Sequence, residues 1–318
     1  MSPDEDARLH DLFHDAVREV TPADRLGEIR RRTAYRPGRS RRRRALVVLA
    51  AGTATAAVVG ISALVGTLRH DAPPAADRPK PYPAAVYFVA ETPIGPRLYR
   101  EFQTVAGSTD PATRVLDALQ RMETGAGPDD PDYRTSWPDG SFRSVSVDDA
   151  GITIELADVA VPAPSGVARD AVALSVQQAV HTADAAIGSP LPVAFEQDGV
   201  PLSEVLGVAV EPTTTRLTRV EAPVNISDPA EGLVTGARWL SVRGQVTPVA
   251  AERPARVAYE LSSATGTIGA GDVAVEGQSW SMTIDLADYA PGSYTLKAWS
   301  ADDPTVAEAT DTRTFVVR

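Results

Sequence analysis

The chain has 318 residues, 43% of them apolar and 23% charged, which suits two folded modules and excludes wholesale disorder. It contains no cysteine, so disulfides, thiolate catalysis, zinc–thiolate centres and a lipid-modified cysteine anchor are excluded together. Its formal net charge of −11 is unevenly placed: residues 1–44 carry twelve arginines against eight acids, leaving 19 bases against 34 acids in the remainder. That acidic balance disfavours nucleic acid and anionic membrane surfaces as partners of the larger part.

In the basic segment, residues 1–44, Leu9, Leu12, Phe13, Ala16, Val17 and Val20 recur at helical spacing and predict a short amphipathic helix before Thr21-Pro22. Thr21 can cap a second short helix, with Pro22 at its first position and Asp24 completing a capping box. The segment is too small for a core of its own. Its apolar stripe would meet a cytosolic partner through residues 9–32, or the inner membrane surface; otherwise it is a solvated tail. His10 and His14 have a metal-binding spacing, but no third ligand stands near them, so no metal site is expected here.

Residues 45–68, ALVVLAAGTATAAVVGISALVGTL, are uncharged and as a helix would extend roughly 36 Å, enough to cross a bilayer. Arg39, Arg41, Arg42, Arg43 and Arg44 precede the span, whereas only Arg69, His70 and Asp71 follow it. Holding the arginines inside puts the N-terminus in the cytoplasm and everything after the span outside. A cleaved signal peptide of twin-arginine type is the competing reading, but the basic region is long and no A-x-A site follows the apolar run. Residues 69–83 contain five prolines and read as an extended spacer.

Residues 84–210 read as an α+β domain, a small sheet with two helices. Ala84–Val89 and Leu98–Val105 predict a hairpin around Pro93, Gly95 and Pro96. A helix opens at Pro111 with Val115, Leu116, Leu119 and Met122 on one face and ends near Gly125. Two further strands flank a turn at Asp148–Gly151, a second helix covers Val167–Thr182, and Pro192–Phe195 forms a last strand. This order suits helices packed on one face of a small sheet. Residues 211–223, polar and proline-flanked, read as a linker.

Residues 224–318 carry strand signals alone. Leu240, Val242, Gly244 and Val246 alternate, as do Val257, Tyr259 and Leu261, then Trp280, Met282, Ile284 and Leu286, then Tyr294, Leu296 and Ala298, with Phe315 and Val317 closing the series. Period two marks one buried face per strand, and six or seven short strands in so few residues imply a sandwich.

The segments AVYFVAE, LYREFQTV, ALQRMETG, WPDGSFRSVSVDDAGITIELAD, QQAVHTADAAIG and PVAFEQDGVPL resemble the GerMN-type domain of bacterial spore-germination and envelope lipoproteins. The resemblance covers about residues 84–208 and rests on turn residues, not reactive groups. The chain departs from it in having an apolar span where those proteins have a lipidated cysteine. ISDPAEGLV, GQSWSMTIDLADYAPGSYTLKAWS and TRTFVVR resemble the immunoglobulin-like module that accompanies such domains. The resemblance implies an α+β domain followed by an all-β immunoglobulin-like sandwich, the pair preceded here by one transmembrane helix. It also implies a capacity for self-association. An arginine-rich, nearly lysine-free composition fits an actinobacterial-type genome.

Little in the sequence suggests chemistry. Beyond the span only His70 and His181 are histidines, so a Ser-His-Asp enzyme would depend on His181, which reads as structural. Asp129, Asp130 and Asp132 have calcium-ligand chemistry but lack the spacing of a binding loop, and read as a solvated turn. GTIGAGDVAVEG lacks the lysine of a phosphate loop and reads as a hairpin turn. Trp280 reads as core, while Trp239 and Trp299 are core or exposed binding aromatics. No catalytic residue, cofactor or metal is expected. The expected protein is non-enzymatic and membrane-anchored, with modules outside the cell that bind an envelope protein or a cell-wall polymer. The alternatives are a wall-glycan enzyme working through carboxylates, or a signalling subunit that tethers a regulator through residues 9–32.

Overall fold

The computed structural model describes residues 80–248, 255–303 and 306–318, all within one compact unit. The amphipathic helix predicted at residues 9–20, the His10/His14 pair, the membrane span predicted at residues 45–68 and most of the predicted spacer lie outside the described residues. Among those described, no helix is long and apolar enough to cross a membrane. They are mostly β, with two α-helices and a curled eight-stranded sheet.

Strands β1 (Tyr82–Ala90) and β2 (Arg97–Val105) pair antiparallel from Tyr82↔Val105 to Ala90↔Arg97, so Tyr82 and Pro83 belong to the strand and not to the spacer. Helix α1 (Pro111–Arg121) begins where Asp110 accepts a hydrogen bond from the Thr113 N–H at 2.9 Å, with Pro111 in the first turn. Strands β3 (Phe142–Val147) and β4 (Ile152–Leu156) form the expected hairpin. Helix α2 (Arg169–Ile187) then crosses over to β5 (Val193–Gln197), which pairs parallel with β4; β6 (Val200–Pro201) completes a sheet of order β3-β4-β5-β6.

One expectation fails here: β1 and β2 do not join that sheet but form a separate two-stranded one. The reason lies in α2, of whose 19 residues 14 are buried, which a helix lying on one face of a sheet could not achieve. Ala171 and Leu174 pack on Tyr87, Val89 and Leu98 of the hairpin. Val176, Ala179, Val180 and Ala183 share a core with Ile152, Ile154, Val193 and Phe195 of the four-stranded sheet. The helix is therefore flanked by both sheets, and Thr182 Oγ1 accepts a hydrogen bond from the Tyr87 N–H at 3.1 Å. Two more short strands, β7 (Glu204–Val205) and β8 (Val208–Ala209), pair with each other.

The second half contains β9 (Val224–Asp228), β10 (Leu233–Thr235), β11 (Trp239–Val246), β12 (Arg256–Ser263), β13 (Gly266–Glu276), β14 (Ser279–Asp285), β15 (Gly292–Ser300) and β16 (Asp311–Val317). They form one sheet in the order β10-β16-β15-β12-β13-β14-β11-β9. It curls until Val224 and Ile226 of β9 share a core with Leu296 and Phe315 of β15 and β16. The bend falls in β13, which pairs with β12 up to Ala274 and with β14 at Val275 and Glu276. The glycine-rich run is thus an 11-residue strand and not a turn. A Cβ on Gly271 would stand 2.9 Å from Tyr259 Oη, so a larger residue there would displace that ring.

Candidate functional site

The two halves meet along a seam between β2 and β9, closed by residues of β16. Alternation along β16 points Asp311, Arg313, Phe315 and Val317 inward. Arg313, 2% exposed, donates from Nη1 to Asp130 Oδ2 at 2.6 Å and to Asp311 Oδ1 at 3.0 Å, and from Nη2 to the Ile226 carbonyl at 3.0 Å. Tyr133 donates its hydroxyl to Asp311 Oδ1, and its ring lies 5.2 Å below the guanidinium. Glu101 of β2, also buried, accepts from the Asp129 and Asp130 N–H groups at 3.0 and 2.8 Å.

Two carboxylates thus share one guanidinium in a space almost closed to solvent. Burial pushes the Asp130 carboxyl up to about 7 and raises Asp311 as well. Burial works against the charge of Arg313, but Asp311, Tyr133 and Asp130 together hold it protonated. The expected solvated turn at Asp129, Asp130 and Asp132 is corrected accordingly. Asp130 is buried in the ion pair, Asp132 accepts from Thr312 Oγ1 at 2.9 Å, and Asp129 alone keeps an uncommitted, exposed carboxyl.

Beside the seam opens a cleft of about 400 Å³ that both halves line. Its first wall is Arg100 and Phe102, successive residues on one face of β2; the guanidinium sits 4.8 Å from the ring centroid. Arg100 Nη2 donates to Ser227 Oγ at 2.7 Å, crossing from one half to the other. Its floor is Gly244 and Trp280, paired in register on β11 and β14. The indole lies over Gly244 so closely that a Cβ there would stand 2.3 Å from it and 2.2 Å from the Asn225 carbonyl. Arg243, Gln245, Glu276 and the hydroxyls of Ser279 and Ser281 form the rim.

His181 lies elsewhere, fully buried in α2, with its ring 5.1 Å from that of Tyr87 and its Nδ1 3.4 Å from Glu221 Oε1. Arg216 holds Glu221 at 2.8 Å and donates to Tyr87 Oη at 3.0 Å. Burial, aided by Arg216, pushes the imidazole down to about 3, so it is neutral and closed to any solvent-borne substrate. Trp280 is buried, as expected; Trp239 is 55% exposed under Arg238, and Trp299 is half-buried beside Lys297. No group of three or more metal-ligating side chains occurs among the described residues. Arg100, Phe102 and Arg313 were not singled out by sequence. Only Arg313 carried a signal, a charge in phase with the buried Phe315 and Val317.

These features define a two-part, β-rich body with a composite cleft. Residues 85–203 match the family described as "Germane: Sporulation and spore germination", which supports the GerMN-type resemblance of the first module. No curated protein matches the chain. Among solved structures, the chain is similar to an engineered protein (14% identity, TM-score 0.25, 50% of this chain covered) and to a Cellulomonas fimi endo-beta-1,4-mannanase double mutant (17% identity, TM-score 0.22, 52% covered). The matched regions span 38% of each of those two chains.

Proposed function

We propose that this protein is a non-enzymatic, single-pass membrane-anchored component of a bacterial cell envelope. Its N-terminal segment lies in the cytoplasm; its GerMN-type module and a second, immunoglobulin-like module stand outside and bind another envelope protein or a cell-wall polymer. The arginine cluster before residues 45–68 supports the anchoring and its direction. The observation that carries the binding role is the composite cleft: Arg100 and Phe102 from one module face Gly244 and Trp280 from the other. Such a site needs its two walls held in fixed relation, and the buried Arg313–Asp130 pair across the seam supplies that fixity.

The test is cosedimentation of the purified protein with isolated cell wall over a range of salt concentrations. Saturable retention supports the polymer as ligand. No retention, together with no specific crosslinked partner in the membrane, overturns the binding role. Release of soluble sugar from the wall would replace it with a glycan-acting enzyme. The further proposal that residues 9–32 hold a cytosolic partner fails if a pull-down with that peptide returns nothing specific.

A further inference from the structure

We propose that the cleft between β2 and the β11–β14 pair binds a sugar ring that carries a carboxylate, an inference that rests on the binding role above and names its chemistry. Two observations converge on it. Arg100 makes no direct ion pair among the described residues, and burial lowers its pKa, with Tyr87 and the more distant Glu221 acting against that shift. A half-buried guanidinium with no carboxylate in direct contact is matched by a planar two-oxygen anion, which recovers the cost of desolvating the cation.

Next to it Phe102 is 41% exposed. The guanidinium lies against the ring, and the remaining surface of the ring is free to carry the C–H face of a pyranose, an apolar contact in a polar setting. At the floor, Gly244 can carry no side chain, because the Trp280 indole and the Asn225 carbonyl fill the space a Cβ would need.

The rim completes the match. Gln245, Ser279 and Ser281 offer both donors and acceptors, as ring hydroxyls require. Arg243 is engaged by Asp228 at 3.3 Å, so the rim adds little free positive charge, and Glu276 opposes a more highly charged phosphate ligand. A volume of about 400 Å³ lies within the range of small-ligand sites and accommodates one or two sugar rings.

The experiment is calorimetric titration of the full chain, in a detergent without a sugar headgroup, with trigalacturonate and with the neutral galactose trisaccharide. The acidic sugar is expected to bind about tenfold or more tightly than the neutral one, the equivalent of roughly 1.4 kcal/mol. Phe102→Ala, which removes an exposed ring and leaves the fold intact by circular dichroism, is expected to weaken both sugars. Arg100→Gln is expected to abolish the preference for the acid. Equal binding of the two sugars, or acid binding unchanged in both variants, overturns the proposal. Absence of acid binding while the wall still retains the protein overturns the cleft chemistry and leaves the binding role standing. Absence of both overturns the two together.

Discussion

Arg313 faces Asp130, Asp311 and the Tyr133 phenol at once, and each of these is buried. Removing the guanidinium leaves two carboxyls in a dry space without compensation. Arg313→Ala is therefore expected to cost about 3–5 kcal/mol of unfolding free energy, read from urea denaturation at neutral pH. The same cluster gives a pH dependence with a definite sign. The Asp130 carboxyl ionises at 3.8 in a model peptide but at about 7 in the folded chain, so the folded state holds a proton that the unfolded state has released. This stabilising contribution is complete below 3.8 and is lost as pH rises through about 7. Asp130→Asn lacks it, so the variant should gain on the wild type across that window. A difference that stays flat with pH would show that the Arg313 pair, and not burial, governs the carboxyl. His181 has the opposite sign: its contribution is complete above 6.5 and is lost as pH falls through about 3.

At the scale of elements, legibility followed exposure. Strand β2, helix α1 and the β3–β4 pair each have a wetter and a drier side that shows as periodicity, whereas β1, buried on both faces from Val86 to Ala90, shows as a short apolar run. The sequence pattern predicts helix α2 over 167–182, whereas it runs from Arg169 to Ile187, because burial on all sides hides the period: Gln178, His181 and Asp184 are as enclosed as Val180. Strand β13 fails in the reverse way: it is exposed over most of its length, and only Val273 and Val275 near its end alternate toward the core. The partition of strands between sheets was unreadable, because pairing is non-local and local pattern does not encode it. The cleft was unreadable for the same reason, its walls being 140 or more residues apart in sequence. Two substitutions test the elements. Gly244→Ala forces a methyl into the Trp280 indole and should cost about 1–3 kcal/mol. Trp137, fully buried, with its ring 4.7 Å from that of Phe142, donates its indole N–H to the Ser175 carbonyl at 2.9 Å. Trp137→Ala should cost about 3–5 kcal/mol. Both are measured by thermal and urea unfolding.

At the scale of the whole described body, the segment between the modules is docked. Gln177 Oε1 accepts from the Leu217 N–H at 2.8 Å, and the Leu98 carbonyl accepts from the Ala222 N–H at 2.8 Å. With the seam, these contacts make one cooperative unit: calorimetry should show a single transition whose calorimetric and van't Hoff enthalpies agree, and residues 211–223 should resist limited proteolysis. Two separated transitions would mean that the seam holds nothing together. The seam also sets an order of events during biosynthesis. Asp130 and its partner Arg313 are 183 positions apart, so at ordinary rates of synthesis roughly 10 to 40 s pass between their emergence. Through that interval the newborn first module holds Asp130 and Tyr133 without the guanidinium that pairs them, while Glu101 already has its Asp129 and Asp130 N–H partners.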